Sequence, residues 1–123
     1  MIKFTILGCG SSMGVPRADG YWGKCDSKET KNFRTRCSAI IQTKERNILI
    51  DTSPDLRFQL IKNKIQNVDT VLYSHMHGDQ VHGINDLRIF ALKNSKKIPV
   101  YADKLTRKYL LTNFSYCFKN SKD

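Results

Sequence analysis

The three histidines of this chain all fall within one short segment, between positions 75 and 82. The segment reads Ser-His-Met-His-Gly-Asp-Gln-Val-His-Gly over residues 74–83 and directly follows the apolar run 70–73. Two imidazoles close together in a loop can turn toward one metal ion, and a nearby carboxylate can reach a second ion or a bound water. The pattern therefore predicts a loop after a buried strand, in which His75, His77 and Asp79 form half of a metal site.

Length and composition allow one domain with one modest core, since the 123 residues are 40% hydrophobic. The formal charge of +10, from 21 basic and 11 acidic residues, favours an acidic partner such as a phosphorylated substrate or nucleic acid. The lysines are scattered along the chain rather than gathered in one stripe. A solvated basic surface therefore explains the charge equally well.

The four cysteines, at positions 9, 25, 37 and 117, show no Cys-x-x-Cys spacing, and no signal peptide is apparent at the N-terminus. We therefore expect a cytoplasmic protein without disulfides, whose thiols are buried or inert. A structural zinc held by Cys25 and Cys37 is a less favoured alternative. No apolar stretch approaches the ~20 residues of a membrane span, so no membrane association is expected.

Hydrophobic patterns and turn residues predict strands first, and then an alternation of helices and strands. The predicted strands are residues 2–7, 38–43, 47–51, 70–73 and 97–102, of which the second and third form a hairpin and the last is an edge strand because of Pro99. The predicted helices are residues 54–64, with Ser53 as N-cap and Leu56, Leu60 and Ile61 on the apolar face, a helix from 85 or 86 to 93, and residues 103–114. Residues 115–123 start an element that is not completed, and Trp22 and the other aromatic residues are assigned to the core.

Several separate segments together resemble one family. They are the glycine-rich residues 6–17, residues 22–26 and 34–38, the strand that ends at Asp51, and the histidine segment continued to Arg88. In this combination the chain resembles the metallo-β-lactamase-fold hydrolases, and within them the branch of phosphoribosyl cyclic phosphate phosphodiesterases and tRNase Z-like enzymes. The resemblance implies an α/β (α+β) fold that is the N-terminal half of an αββα sandwich, with a mixed sheet and helices on one face. Residues 1–123 would then be a single truncated domain.

The resemblance also implies a dinuclear, metal-dependent hydrolase of the phosphodiesterase type. His75 and His77 would bind one divalent ion, zinc or manganese, and Asp79 would bind the second. Asp79 and Asp51 are the expected catalytic carboxylates, with Asp51 orienting the metal ligands from behind.

The implied substrate is a phosphorylated small molecule or a phosphodiester. Arg88, together with Ser11 and Ser12 in the loop 10–17, is expected to contact it. Gly8, Gly10 and Gly14 do not have the spacing of a dinucleotide-binding turn, and Pro16 blocks an immediate helix, so that alternative is rejected.

The sequence departs from the family pattern directly after Asp79, where Gln80 stands in place of a histidine. An amide oxygen is a poorer zinc ligand than imidazole, so Gln80 as a ligand would favour manganese or magnesium in the second site. His82 is an alternative ligand. No histidine follows His82, so the metal site of this chain is expected to be incomplete.

An incomplete site leaves several functions open. The chain would need a homo-oligomeric partner, or a separate chain with the C-terminal half, to act as a hydrolase, and alone it is expected to be weak or inactive. The alternative is a catalytically inactive remnant that folds as an oligomer through its exposed apolar face. A third hypothesis, RNA binding through the basic surface, lacks an aromatic-basic motif to support it.

Overall fold

Five short strands form one mixed sheet in the computed structural model, which describes residues 1–120. The strands are β1 (Lys3–Gly8), β2 (Ser38–Gln42), β3 (Asn47–Ile50), β4 (Thr70–Leu72) and β5 (Val100–Tyr101). They lie in the order β1-β2-β3-β4-β5, antiparallel from β1 to β3 and parallel from β3 to β5. The predicted mixed sheet, its hairpin and its edge strand β5 are confirmed.

The helices are short and follow the order that the sequence predicts. They are α1 (Leu56–Lys62), α2 (Gly78–Val81), α3 (Arg88–Asn94), α4 (Lys104–Asn113) and α5 (Ser115–Phe118), with 3-10 turns at Thr30–Asn32 and Ile84–Leu87. Asp103 caps α4 by accepting a hydrogen bond from the Thr106 amide at 2.8 Å. The sequence does not predict α2 or α5, and residues 121–123 of the predicted tail lie outside the described residues.

The prediction for the start of α1 is wrong. The helix begins at Leu56 rather than at Pro54, and its N-cap position is Asp55 rather than Ser53. The Ser53 hydroxyl instead accepts a hydrogen bond from the Asp55 amide at 3.0 Å, which closes a turn before the helix. The Asp55 side chain does not cap α1, because both of its carboxylate oxygens accept hydrogen bonds from the Arg36 guanidinium.

The predicted apolar face of α1 is partly wrong as well. Leu56 and Leu60 are buried, but Ile61 is 63% exposed and the buried neighbour is Gln59. The Gln59 amide nitrogen donates to the Arg36 carbonyl at 2.7 Å. Within residues 1–120, its buried Oε1 atom has no hydrogen-bond partner.

The hydrophobic core lies between one face of the sheet and the helices. Ile40, Leu49 and Val71 are fully buried on that face of β2, β3 and β4. The helices contribute further buried side chains to the same cluster, namely Leu56, Leu60, Phe90 and Leu110. Successive side chains of a strand point to opposite faces, so only every second residue of each strand reaches this core.

The opposite face of the sheet is apolar and uncovered. Phe4 and Ile6 of β1 are 58% and 65% exposed, and Leu72 and Tyr101 on β4 and β5 are also exposed. The register places these side chains in rows with those of β2 and β3 on the same face, namely Ala39, Ile41, Ile48 and Ile50. A monomeric domain rarely leaves an apolar face of this kind in water.

Two predictions about burial are corrected by the structure. Trp22 is only half-buried and is not part of the core cluster, and several other aromatic side chains are exposed, including Phe4, Phe33 and Phe58. All four cysteines are free and exposed as residues, although the thiol group of Cys37 is partly shielded from water. Among residues 1–120, no helix is both long and apolar enough to cross a bilayer.

Candidate metal centre

The functional candidates collect at one end of the sheet. Strand pairing places the carboxyl ends of β1, β3 and β4 at the same edge as the amino end of β2. Asp51 follows β3 at this edge, and residues 74–83, which we call the histidine loop, follow β4 after Tyr73. Parallel strands β3 and β4 thus deliver the carboxylate and the imidazoles to neighbouring positions.

The first two histidines of the loop face one another. The Nε2 atom of His75 lies 3.1 Å from the Nδ1 atom of His77. The two rings meet edge to face, with centroids 4.6 Å apart and an interplanar angle of 78°. Both side chains are exposed, so two nitrogen atoms converge on one point that solvent reaches.

Asp51 orients this pair through Ser74. Its carboxylate accepts a hydrogen bond from the Ser74 amide at 2.7 Å and another from the Ser74 hydroxyl at 2.6 Å. The same hydroxyl lies 2.9 Å from Nδ1 of His75. Asp51 adopts a left-handed backbone conformation with φ of 60°, one of the few residue types that tolerates it.

These contacts determine where the protons sit in the neutral pair. A carboxylate only accepts, so the single hydroxyl proton of Ser74 points to Asp51. Ser74 must then accept a hydrogen bond from Nδ1 of His75, which leaves the Nε2 lone pair of His75 free. In the contact between the rings, His77 Nδ1 therefore donates to His75 Nε2.

Thr52 fixes the far end of the histidine loop to the end of β3. Its amide donates to the Gln80 carbonyl at 2.7 Å, and its carbonyl accepts from the Gly83 amide at 2.9 Å. Its hydroxyl shares its proton between the Gln80 and Val81 carbonyls and accepts from the Tyr73 hydroxyl at 2.8 Å. Burial raises the pKa of Tyr73, so its phenol stays protonated and remains a donor.

Gly83 fits this region because it has no side chain. A Cβ atom at this position would lie 1.9 Å from the Ser53 carbonyl oxygen, which is backbone and cannot move aside. The sequence marks Gly83 only as a flanking glycine. Its contact with Ser53 comes from non-local packing that a sequence pattern does not contain.

Asp79 and Gln80 are joined to each other. The Gln80 amide nitrogen donates to Asp79 Oδ2 at 3.0 Å, and Gln80 is 6% exposed. Among the described residues no hydrogen-bond partner reaches the buried Oε1 atom of Gln80. An orphaned buried amide oxygen is costly, because it has lost its water without a replacement.

The segment before β2 lies beside the same carboxylate. Burial raises the pKa of the Cys37 thiol, and the negative charges of Asp79 and Asp51 add to that shift. Asp55, and to a smaller extent Asp79, hold the pKa of Arg36 above its usual value. Arg36 and Cys37 therefore lie within the electrostatic reach of Asp79, which the sequence does not reveal.

The remaining predicted residues are more dispersed. Ser11 and Ser12 lie in an exposed turn that follows β1 at the same edge of the sheet. Arg88 begins α3 and lines a groove between α1 and α3, with Arg57 and Ile61 among its other lining residues. No described residue that lines this groove belongs to the histidine loop. The structure thus separates Arg88 from the other candidates.

His82 is also set apart from the histidine pair. Its exposed ring packs edge to face on Phe114, with centroids 5.8 Å apart. Within residues 1–120, no group of three or more histidine, cysteine, aspartate or glutamate side chains is placed to hold a metal ion. The described part of the chain therefore brings together a pair of imidazoles with a carboxylate behind them, and not a closed metal site.

Sequence reasoning missed three residues that build this centre, namely Ser74, Thr52 and Tyr73. Each acts through a hydroxyl whose partner is distant in the sequence. The available signal was that Thr52 follows Asp51 and Ser74 precedes His75 in the sequence, with Tyr73 one position earlier.

Comparison with curated proteins places these features in a family context. The chain is 35% identical over 121 residues to an octanoyltransferase of Porphyromonas gingivalis, a match that covers 98% of the chain and 24% of that protein. It is 24% identical over 102 residues to a ribonuclease Z of Clostridium kluyveri, covering 81% of the chain and 28% of the relative. The chain thus spans about a quarter of the length of these relatives.

Solved structures share the fold over nearly the whole chain. A diphosphatase of the PhnP family superposes with a TM-score of 0.83 at 32% identity, covering 96% of this chain and 49% of that one. Zinc-bound PqqB of Methylobacterium extorquens gives a TM-score of 0.74 at 20% identity, covering 99% and 44%. The chain therefore corresponds to about half of each of these structures.

The second half of the sheet and the histidine loop also match a protein-family model. The model of the beta-lactamase superfamily domain matches residues 46–123, which include β3, Asp51 and the histidine loop. A metallo-beta-lactamase fold protein of Bacillus subtilis, YhfI, superposes with a TM-score of 0.63 at 19% identity and covers 90% of this chain and 42% of its own. The chain belongs to the beta-lactamase superfamily and has the metallo-β-lactamase fold.

Proposed function

We propose that this chain supplies one half of the active site of a divalent-metal hydrolase that cleaves phosphorus–oxygen bonds. The observation that carries the proposal is the convergence of His75 Nε2 and His77 Nδ1 at 3.1 Å, with Asp51 orienting His75 through Ser74. Histidines that bind metals regularly donate their other ring nitrogen to such a partner, which fixes the tautomer and the ring.

The geometry of the pair fits a metal ion. Two nitrogen ligands at 2.0–2.1 Å from a tetrahedral ion lie about 3.3 Å apart, close to the 3.1 Å between the two ring nitrogens. His75 Nε2 carries a lone pair and no proton, which is the form that a metal requires, and the proton on His77 Nδ1 would move to Nε2 when an ion binds. His75 and His77 would therefore hold one ion, and Asp79 would hold a second.

Gln80 bears on the identity of the second ion. Its Oε1 atom is buried and has no hydrogen-bond partner within residues 1–120, so a cation bound there would satisfy it. A carboxylate oxygen binds zinc, manganese or magnesium, but an amide oxygen suits manganese and magnesium better than zinc. We infer zinc or manganese at the histidine pair and an oxygen-preferring ion beside Asp79.

Bound divalent ions in such a centre lower the pKa of a water and neutralise charge on phosphoryl oxygens. The chain's own residues would orient this chemistry, since Asp51 holds His75 in one tautomer through Ser74 and Asp79 follows the exposed pair in the same loop. Ser11 and Ser12 remain the proposed substrate contacts at this edge, and Arg88 is a weaker candidate because of its place in the groove. The names of two relatives, a diphosphatase and a ribonuclease Z, support phosphate esters or anhydrides as the substrate class.

The proposal requires further metal ligands from outside the described residues. The uncovered face of the sheet, with Phe4, Ile6, Leu72 and Tyr101 exposed, provides a place for the element that carries them. We propose that a second sheet, corresponding to the half of the solved relatives that this chain does not span, packs on this face. Self-association through the same face is the competing arrangement, and light scattering of the purified chain distinguishes the two.

Isothermal titration with Zn²⁺ and Mn²⁺ tests the proposal. His75→Ala and His77→Ala should each weaken binding at the first site by at least about 100-fold, because an imidazole ligand is lost. His82→Ala is the matched control, since His82 is exposed in the same loop but packs on Phe114, and it should leave the affinity unchanged.

Equal weakening in all three variants, or no metal binding by the unaltered chain, would contradict the metal site. The chain would then be a non-catalytic member of the family. Steep salt dependence of RNA affinity in such a protein would instead favour nucleic-acid binding through the basic surface.

A further inference from the structure

Two cysteines occupy neighbouring positions at the edge of the sheet that holds the metal centre. Cys9 directly follows β1 and Cys37 directly precedes β2. Gly8 and Ser38, which adjoin them, are partners just after a register shift in the β1–β2 ladder, and an isolated parallel bridge joins Gly10 and Arg36 on their other side. Cys9 and Cys37 thus each lie between two paired positions. Paired residues of neighbouring strands have Cα atoms about 4.5–5.5 Å apart, and a disulfide spans about 4.4–6.8 Å.

The two chain segments are pressed together at this point. A Cβ atom on Gly8 would lie 2.1 Å from the Arg36 carbonyl oxygen, and one on Gly10 would lie 2.7 Å from the Arg34 and Thr35 carbonyl oxygens. Both glycines that flank Cys9 are therefore in close contact with the segment that leads into Cys37. This contact keeps the two cysteines adjacent.

Contacts of the sulfur atoms assign different roles to the two thiols. The Cys37 thiol donates to the carbonyl of Gly10, the residue after Cys9, at 3.2 Å. Cys9 Sγ accepts a hydrogen bond from the Arg34 guanidinium at 3.4 Å, so this sulfur faces a cation. Burial raises the pKa of Cys37, and nearby Asp79 and Cys9 add to the shift. Cys9 is therefore the better placed nucleophile. Cys37 is the second thiol, which reacts with the oxidised Cys9.

We propose that Cys9 and Cys37 form a dithiol that a peroxide oxidises reversibly to a disulfide at the edge of the metal centre. The Cys9 sulfur attacks a peroxide oxygen, the O–O bond breaks, and one water leaves with formation of a sulfenic acid. The Cys37 sulfur then attacks the Cys9 sulfur, the S–S bond forms, and a second water leaves. Two electrons and the two thiol hydrogens thus pass to one hydrogen peroxide.

The position of the pair links this modification to the metal loop. Ser38 follows Cys37, and its hydroxyl lies 3.0 Å from the Asp51 carbonyl oxygen. Asp51 in turn holds Ser74 and, through it, His75. The chemistry of the thiols does not depend on a bound metal, so the two proposals stand or fall separately.

Peptide mass mapping under non-reducing conditions tests the proposal on the full chain. Lysine or arginine lies between every two successive cysteines, so trypsin separates the four. After treatment with hydrogen peroxide and alkylation of the remaining thiols, we expect the peptide 4–17 linked to the peptide 37–44. The Cys9 and Cys37 thiols should be lost at least about tenfold faster than those of Cys25 and Cys117, which have no thiol neighbour in the strand register.

Variants make the assignment specific. Cys9→Ser and Cys37→Ser should each abolish the linked peptide, whereas the double variant Cys25→Ser and Cys117→Ser should retain it. Circular dichroism shows whether each variant is folded. Oxidation spread evenly over all four cysteines of the folded chain, or accumulation of sulfinic acid without a linked peptide, would overturn the proposal.

Discussion

The two ends of the histidine loop lie in opposite environments. At its base, Gln80 and Gly83 are buried and form hydrogen bonds with the backbone and the hydroxyl group of Thr52. At its tip, His75 and His77 are exposed and contact each other. The difference separates the residues that the fold requires from those that the proposed chemistry uses. Substitutions at the base should therefore lower the free energy of unfolding. Substitutions at the tip should change only the affinity for metal ions.

The largest effect is expected from Gly83→Ala. The added methyl group would meet the Ser53 carbonyl oxygen at 1.9 Å, so the base must shift, at a cost of about 3 kcal/mol or more in the free energy of unfolding. Urea denaturation followed by circular dichroism measures this change. Gly78→Ala is the control, because its nearest atoms belong to the movable His82 ring at 3.1 Å. Similar losses in both variants would refute the special role of the base.

The next effect is expected from Thr52→Val, which keeps the shape of the side chain. The substitution leaves the buried Tyr73 hydroxyl without its 2.8 Å partner and should cost about 1–3 kcal/mol. Thr112→Val, at an exposed position in α4, controls for the change of residue type. A cost for Thr52→Val no larger than that of the control would show that the hydroxyl contacts are dispensable.

Asp51→Asn tests the connection between the base and the tip. The variant keeps an oxygen for the Ser74 amide but loses the acceptor for the Ser74 hydroxyl, so His75 is no longer held in one tautomer. Metal affinity should fall about 10–100-fold, measured by titration calorimetry. Asp69→Asn is the matched control, because Asp69 also accepts a backbone hydrogen bond, from Asn47 at 2.7 Å, at the opposite end of the sheet. Equal affinities in both variants would remove Asp51 from the metal centre.

The smallest effect on stability is expected from the combined substitution His75→Ala and His77→Ala. Both side chains are exposed, so the free energy of unfolding without metal should change by no more than about 0.5 kcal/mol. Thermal or urea denaturation in the presence of a chelator checks this. A loss comparable to that of Gly83→Ala would mean that the tip is structural after all.

The sequence predicted the parts of this account that depend on local patterns. Apolar runs located β2, β3 and β4, and their ends located Asp51 and the histidine loop. The start of α1 was mistaken because Asp55 pairs with Arg36, a partner far away in the chain. The exposed apolar face was expected only from the family resemblance, because a strand such as β3 carries Ile48 and Ile50 on one side and Leu49 on the other, and packing decides which side is covered.

The metal centre shows the same division. Histidine and aspartate spacing indicated His75, His77 and Asp79, which remain predicted ligands, but the orienting role of Ser74 depends on its hydrogen bonds to Asp51, 23 residues earlier in the chain. The contact between Gly83 and Ser53 likewise arises only when β3 and the histidine loop are brought together. Non-local contacts of this kind carry no signature in the local sequence.

Nitrogen-15 NMR of the imidazole tautomers during titration with Zn²⁺ tests whether His75 and His77 bind one ion together. The contacts of Ser74 place the proton of His75 on Nδ1 and, through the 3.1 Å contact between the rings, that of His77 on Nδ1 as well. Binding of one ion between the two rings should leave His75 protonated on Nδ1 and move the proton of His77 to Nε2, while His82 is unaffected. Uniform shifts of all three histidines, or no change of tautomer at His77, would contradict the account.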